Sequence, residues 1–223
     1  MKLYIIIILL IVFSRHLYAY QPSYCYQDNF LSHEISAPIS YQNLFRLRMF
    51  RLGKVTLVGL GIGNSNVEDV KNLARYYSAE WETGFCTWYI NEGNREAEKS
   101  FNHKYVKHPM EVPVDEIVNN YLYGLKESFT TRDPSFWSCA ENQGYIAIGC
   151  HGHWHRGPSA FGMLLAFSGC TPEQSINIVN TLWELNGVSY DARWAIINAG
   201  YQLGHQHHDL RMKLQRAFQN LNN

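Results

Sequence analysis

The chain has 223 residues, and its 19 lysine and arginine side chains balance its 19 aspartate and glutamate side chains. This balance excludes a global field that would gather nucleic acid or an anionic membrane, so we expect no nucleic-acid partner and only a local anion site. Residues 20–223 are of a size that usually forms one domain with its own hydrophobic core. We therefore expect a single-domain monomer.

The N-terminal segment has the pattern of a secretory signal peptide. Lys2 precedes an apolar run of 11 residues from Leu3 to Phe13, and the small Ala19 closes the segment. A helix needs roughly 20 apolar residues to cross a bilayer. We predict a signal peptide at residues 1–19, no stable membrane span after cleavage, and a secreted or periplasmic protein. An uncleaved N-terminal anchor is the alternative.

Five cysteines lie in the predicted mature part: Cys25, Cys86, Cys139, Cys150 and Cys170. Export would place them in an oxidising compartment, where an odd count leaves at least one thiol unpaired. If that thiol is Cys150, the other four allow three connectivities, among which the sequence does not choose. Five buried free thiols are the alternative.

Strands and helices alternate along the first two thirds of the chain. Ser65 and Glu68 have the spacing of a capping box at the start of one helix, and Pro113 starts another. Apolar, β-branched runs predict strands at Lys54 to Gly61, Phe85 to Ile90, Lys104 to Pro109 and Gly144 to Cys150.

The last third of the chain has only helical patterns. An apolar helix is predicted from Pro158, and a second has Thr171 as its cap with Pro172 and Gln174 in its first turn. Two more helices follow, at roughly Asp191 to Leu203 and Asp209 to Leu221. The order predicts a three-layer α/β fold, with a mostly parallel central sheet flanked by helices and a helical C-terminal half.

The segment CHGHWHR, residues 150–156, lies between a predicted strand and a predicted helix. Ligands of such sheets bind at the carboxyl ends of the strands. The helix N-terminus offers unpaired N–H groups and partial positive charge, and Arg156 offers a bidentate guanidinium. The same surroundings are expected to lower the pKa of Cys150. The segment therefore predicts a phosphate site with a thiolate nucleophile.

This arrangement resembles the C-x5-R signature loop of the cysteine-dependent protein tyrosine phosphatases, and its flanks resemble the dual-specificity branch. FCTWYINEGNREAEKSFNHKYVKHPMEVPVDEIVNNYL is similar to the strand, acidic turn, strand and helix that precede the loop there. GMLLAFSGCTPEQSINIV is similar to the apolar helix and turn that follow it. The resemblance covers roughly residues 54–182.

The resemblance implies a phosphatase that hydrolyses phosphomonoesters through a cysteinyl-phosphate intermediate and needs no cofactor or metal. Its substrate would be a phosphoprotein, a phosphoinositide or an inositol phosphate. By position Cys150 is the nucleophile, Arg156 binds the phosphoryl oxygens, and Glu111 or Asp115 is the general acid. The other loop residues that would line the substrate are His151, Gly152, His153, Trp154, His155 and Gly157.

The loop departs from the family pattern at several positions. Gly149 replaces the usual histidine before the cysteine, and the loop glycine, Gly152, comes one place early. Gly157 and Pro158 follow Arg156 where the family has a hydroxyl side chain that helps the thiolate leave. These departures bear on loop geometry and dephosphorylation, and a catalytically inactive phosphate-binding relative is the second hypothesis.

The loop histidines suggest a third hypothesis. His151, His153 and His155 share the spacing of the H-x-H-x-D-H zinc loop of metallo-β-lactamase-fold hydrolases, although Arg156 takes the place of its last ligand. A zinc-dependent hydrolase that uses the HGHWH loop is therefore the other alternative. In the phosphatase hypothesis, imidazoles that charge below about pH 6.5 would favour multiply phosphorylated substrates.

Overall fold

The computed structural model describes residues 21–77, 85–91, 106–107, 113–130, 144–188 and 190–219. The strands within these ranges are β1 Arg48–Leu52, β2 Val55–Gly61, β3 Phe85–Asn91, β4 Val106–Lys107 and β5 Tyr145–Cys150. The α-helices within them are α1 Gln27–Ser32, α2 Val67–Tyr77, α3 Val114–Thr130, α4 Arg156–Phe167, α5 Pro172–Leu182, α6 Ala192–Gln206 and α7 His208–Gln219.

The five strands form one sheet in the order β1-β2-β5-β3-β4. β1 is antiparallel to β2, and the three other pairings are parallel. The predicted α/β class, the mostly parallel sheet and the helical C-terminal part are confirmed at this level. The edge strand β1 was not predicted, because Arg48 and Arg51 interrupt its apolar pattern.

A hydrophobic core lies on each face of the sheet. On one face, Leu57 and Ile148 belong to a large core with α3, α4, α5, α6 and α7. On the other, Val58 and Ala147 belong to a smaller core with α2. Because side chains alternate along a strand, Cys150 at the end of β5 faces the larger core.

α4 and α6 are in close backbone contact. α4 is buried at every position after Arg156. A Cβ at Gly200 would lie 2.5 Å from the Met163 carbonyl oxygen, and one at Gly204 would lie 2.5 Å from that of Phe167. The glycines of α6 thus let the two backbones touch, which fixes the start of α6 beside the start of α4.

The capping box predicted at the start of α5 is formed, whereas the one predicted at the start of α2 is not. Thr171 and Gln174 form the predicted capping box of α5, with N···O distances of 2.9 and 3.2 Å. The box predicted for α2 is wrong, because Asn66 Oδ1 accepts from the Glu68 N–H at 2.9 Å and Ser65 Oγ donates to the Gly61 carbonyl. An asparagine next to the serine caps equally well.

A disulfide joins Cys25 to Cys170 across 145 positions of sequence. Cys150 keeps a free, buried thiol, which is the condition under which the sequence left three connectivities open for the other four cysteines. The side chain of Cys86 and the whole of Cys139 lie outside the described residues, as does the predicted signal peptide. Within those residues no helix combines the length and the hydropathy needed to span a membrane.

Candidate functional site

The loop from residue 151 to residue 155 leaves the sheet at the carboxyl ends of its parallel strands. Cys150 is in register with Gly61 of β2 on one side and with Ile90 of β3 on the other. α4 then begins at Arg156, two residues before the predicted start. The loop therefore turns into a helix at the edge where the sequence analysis placed a ligand.

Backbone N–H groups surround the thiol of Cys150. The His153 N–H donates to Sγ at 3.2 Å, and the N–H groups of Gly152 and Gly157 are also directed at the sulfur. Gly157 lies in the first turn of α4, where N–H groups have no partner inside the helix. These donors, together with the nearby Arg156 charge, form a cradle for an anion above the sulfur.

The pKa of Cys150 does not move in the expected direction. The thiol is only 2% exposed, and burial raises its pKa by disfavouring the thiolate. The Gly157 N–H, the Arg156 charge and the other loop N–H groups act in the opposite direction without reversing it. The predicted lowering is therefore wrong, because the sequence pattern contains the donors but not the depth of burial.

His153 fills a slot behind the cradle. Its ring is fully buried and packs edge-to-face on Trp183 with 4.5 Å between ring centroids. A Cβ at Gly59 or at Gly157 would overlap this pair, so the two glycines create the slot. Burial, with a smaller effect from Arg46, lowers the pKa of His153 to about 3. The ring is neutral at any ordinary pH.

The three loop histidines do not converge. The His151 ring lies against Gly63, and His155 packs on Tyr190 with 5.6 Å between ring centroids. In the described part of the chain no three His, Cys, Asp or Glu side chains are grouped as metal ligands. Since His153 packs on a tryptophan, the geometry needed by the zinc-loop hypothesis is not formed.

The charged-histidine hypothesis is wrong for His153, whose pKa is lowered to about 3. Burial lowers the pKa of His155 as well, with smaller contributions from Arg193 and Arg156. With His153 held neutral, one of the three expected imidazole charges is missing at mildly acid pH, whereas the Arg156 charge acts on Cys150.

Two arginines distant in sequence hold the loop at Trp154. Arg193, at the start of α6, donates from Nη2 to the Trp154 carbonyl at 3.1 Å and from Nη1 to Asn180 Oδ1 at 3.1 Å. Arg46 stacks over the Trp154 ring, with Cζ 3.5 Å from the ring centroid, and donates to the Trp183 carbonyl. No local motif marks either arginine, so neither was predicted from the sequence.

Two tyrosines tie α3 to the start of α4. Tyr121 and Tyr190 share a hydrogen bond, and the Tyr121 hydroxyl donates to the Arg156 carbonyl at 3.4 Å. Burial raises the pKa of Tyr190 to about 12, so its phenol stays protonated. These residues fix the backbone that carries Arg156, and sequence reasoning did not find them.

Of the two candidate general acids, Asp115 lies within the described residues and Glu111 does not. Asp115 is exposed in the first turn of α3, where an acidic side chain also complements the helix dipole. Glu111 lies outside the described residues. The hydroxyl nearest to Arg156 in sequence, Ser159, donates to the His155 carbonyl at 2.7 Å within the first turn of α4.

Comparison with known proteins adds no relative. Neither the family models, nor the curated proteins, nor the solved structures contain a match to this chain.

Proposed function

We propose that the chain is an exported phosphatase of the cysteine-dependent tyrosine and dual-specificity type, with the three-layer fold of that class, acting on phosphomonoesters. The single observation that carries this proposal is the cradle at Cys150. A sulfur nucleophile lies under three backbone N–H groups at a helix N-terminus that begins with Arg156. Such donors bind phosphoryl oxygens and stabilise the charge that they gain in the transition state.

The proposed reaction has two steps. Cys150 loses its proton to solvent, and the Sγ thiolate attacks phosphorus while the phosphorus–oxygen bond of the ester breaks. The leaving oxygen takes a proton from Glu111 or Asp115. Water then attacks the cysteinyl phosphate and gives a proton to the same carboxylate, and the sulfur–phosphorus bond breaks to release inorganic phosphate and the thiolate. Arg156 and the loop N–H groups bind the three non-bridging oxygens in both steps.

Export is supported by the disulfide between Cys25 and Cys170. Disulfides persist in oxidising compartments and are rare in the cytosol. The bond is consistent with the predicted signal peptide and with a secreted or periplasmic protein.

The second candidate is a phosphate-binding relative without turnover. Two observations favour it: burial raises the pKa of the Cys150 thiol, and Ser159 is hydrogen-bonded to His155 rather than placed to help the thiolate leave. Either feature would slow catalysis while the cradle still binds an anion.

One experiment separates the two candidates. Hydrolysis of an aryl phosphate by the mature chain is measured with thiol reductant and EDTA present, beside Cys150→Ser. We expect turnover that disappears in the variant. Absence of turnover in both proteins, with vanadate still raising the Tm, would instead establish the binding relative, and turnover that persists in Cys150→Ser would contradict both.

A further inference from the structure

The loop carries more positive charge than one phosphate monoester needs. Arg156 and the backbone N–H groups suffice for the phosphate above Cys150. Arg46 and Arg193 contact the same loop, and neither forms an ion pair within the described part of the chain. Glu184 is the carboxylate that acts on Arg46, and it does so without a close contact.

Arg193 has the features of a cation whose counterion is another molecule. Its side chain is 7% exposed, and its buried Nε has no hydrogen-bond partner among the described residues. Buried cations are normally paired, because removing a charge from water is costly. Its two bonds, to Asn180 and to the Trp154 carbonyl, go to neutral oxygens and leave the charge uncompensated.

The Arg46 guanidinium keeps N–H groups that can donate to an acceptor. The guanidinium carbon Cζ lies over the Trp154 ring, 3.5 Å from its centroid, and a cation–π contact of this kind does not use the N–H donors of the guanidinium. One of these groups donates to the Trp183 carbonyl, while Nε has no hydrogen bond in the described structure. A phosphate in the guanidinium plane would accept from the remaining donors.

Both arginines contact the loop that follows Cys150. They meet at Trp154, the residue that follows His153, whose N–H donates to Cys150 Sγ at 3.2 Å. Cys150 also acts electrostatically on Arg46. A group bound between Arg46 and Arg193 would therefore contact the same loop as the phosphate in the cradle.

We infer that Arg46, Trp154 and Arg193 form a second phosphate subsite beside the Cys150 cradle, and that the substrate is a compact molecule bearing two phosphate groups. The inference rests on the proposed function for the identity of the first phosphate. It moves the source of multiple-phosphate binding from the loop histidines to arginines that stay charged at every physiological pH.

The test is a pair of ligands that differ by one phosphonate group. Methylenebisphosphonate and methylphosphonate are titrated into Cys150→Ser by calorimetry. We expect the bisphosphonate to bind at least about tenfold more tightly, since a bidentate guanidinium contact to an anion is worth that much. Equal affinities would overturn the subsite.

Variants separate the subsite from general charge. In the Cys150→Ser background, Arg46→Gln should remove most of the preference and leave methylphosphonate binding within about threefold. Arg75→Gln, which deletes an equal charge on the surface of α2, should keep the preference. If Arg46→Gln lowers the Tm, Arg46→Lys serves instead and should retain only part of the preference. A preference unchanged in every Arg46 variant would refute the inference.

Failure of the subsite and failure of the proposed function give different results. Cys150-dependent turnover of an aryl phosphate with no bisphosphonate preference would leave the phosphatase and remove the subsite. A clear preference without turnover would remove the catalytic mechanism and leave a protein that binds two phosphates.

Discussion

Two parts of the site around Cys150, a floor and a rim, differ in burial and in charge. The floor consists of Cys150, His153 and Trp183, which are 2%, 0% and 3% exposed. The rim consists of Arg46, Trp154 and His155, and Trp154 is 43% exposed although it directly follows His153. Burial favours the neutral thiol and the neutral imidazole in the floor, whereas the rim contains a guanidinium stacked on an indole.

This difference in burial indicates that the floor and the rim have different roles in the site. The floor is fixed by shape, since Gly59 and Gly157 leave room only for the His153 and Trp183 rings. The rim supplies charge through side chains from distant segments. Substitutions in the floor should therefore act mainly on stability and on the thiol, and substitutions in the rim mainly on anion binding.

The largest expected effect is the acid sensitivity of the floor. The unfolded chain protonates His153 near pH 6.5, but the folded protein does so only near pH 3. The neutral, buried ring therefore contributes its full stabilisation above pH 6.5. As the pH falls from 6.5 to 3, the free energy of unfolding decreases by about 5 kcal/mol, because only the unfolded chain binds the proton. His153→Asn, which suits the φ of 53°, should flatten the fall in the free energy of unfolding measured by urea titration from pH 7 to pH 4.

His155→Asn is the matched rim variant. His155 is only half-buried, so this variant should keep nearly the whole pH dependence. An equal flattening in both variants would break the distinction between floor and rim.

A methyl group added to the floor should cost more than one added near the rim. In Gly59→Ala the new Cβ would lie 2.7 Å from Trp183 Cη2 and 3.0 Å from His153 Nε2. Overpacking of this kind costs about 1–3 kcal/mol, measured as a lower midpoint in guanidinium unfolding. In Gly152→Ala the new Cβ would lie 3.1 Å from the exposed Trp154 ring and 3.7 Å from Asn64 Nδ2, and the variant should cost below about 0.5 kcal/mol. Similar losses would mean that the slot is not tight.

Thiol reactivity provides a smaller and more specific test of the floor. Because burial raises the pKa of Cys150, its alkylation by iodoacetamide should still accelerate above pH 9. Arg156→Gln removes a charge that favours the thiolate and should slow the reaction roughly threefold to tenfold at pH 8. Rates are read from the mass of the peptide that contains Cys150. A plateau already reached below pH 7 would show that the thiolate is preformed.

The smallest expected effect is the coupling within the rim. Arg46 and Trp154 form an exposed cation–π contact worth about 0.5–1 kcal/mol. A double-mutant cycle with Arg46→Gln and Trp154→Leu, followed by chemical denaturation, should return a coupling energy of that size. Strict additivity would mean that the stack contributes nothing to the free energy of unfolding.

The sequence predicts what local pattern controls. The β-branched runs of β2 and β5, the capping box at Thr171 and the apolar α4 all lie where their patterns place them. The position of the Cys150 loop is also predictable from the sequence, because an apolar strand, then glycines, then an apolar helix indicate a turn between the strand and the helix.

The rest depends on contacts between distant segments. Arg46 and Trp154 are 108 positions apart, and no periodicity links them. The direction of the Cys150 pKa shift depends on burial by several helices that the loop sequence does not encode. The histidine spacing suggested convergence, yet the left-handed backbone at His153 and the slot made by Gly59 turn that ring inward.

The bond between Cys25 and Cys170 closes a covalent ring that contains the whole sheet, the Cys150 loop and α4. Helices α5, α6 and α7 form an open tail outside this ring. A protease that cuts once anywhere between the two cysteines therefore opens the ring without releasing a fragment, and the nicked chain separates on a gel only after reduction. A cut between α5 and α6, by contrast, would leave the helix that carries Arg193 without a covalent link to the ring.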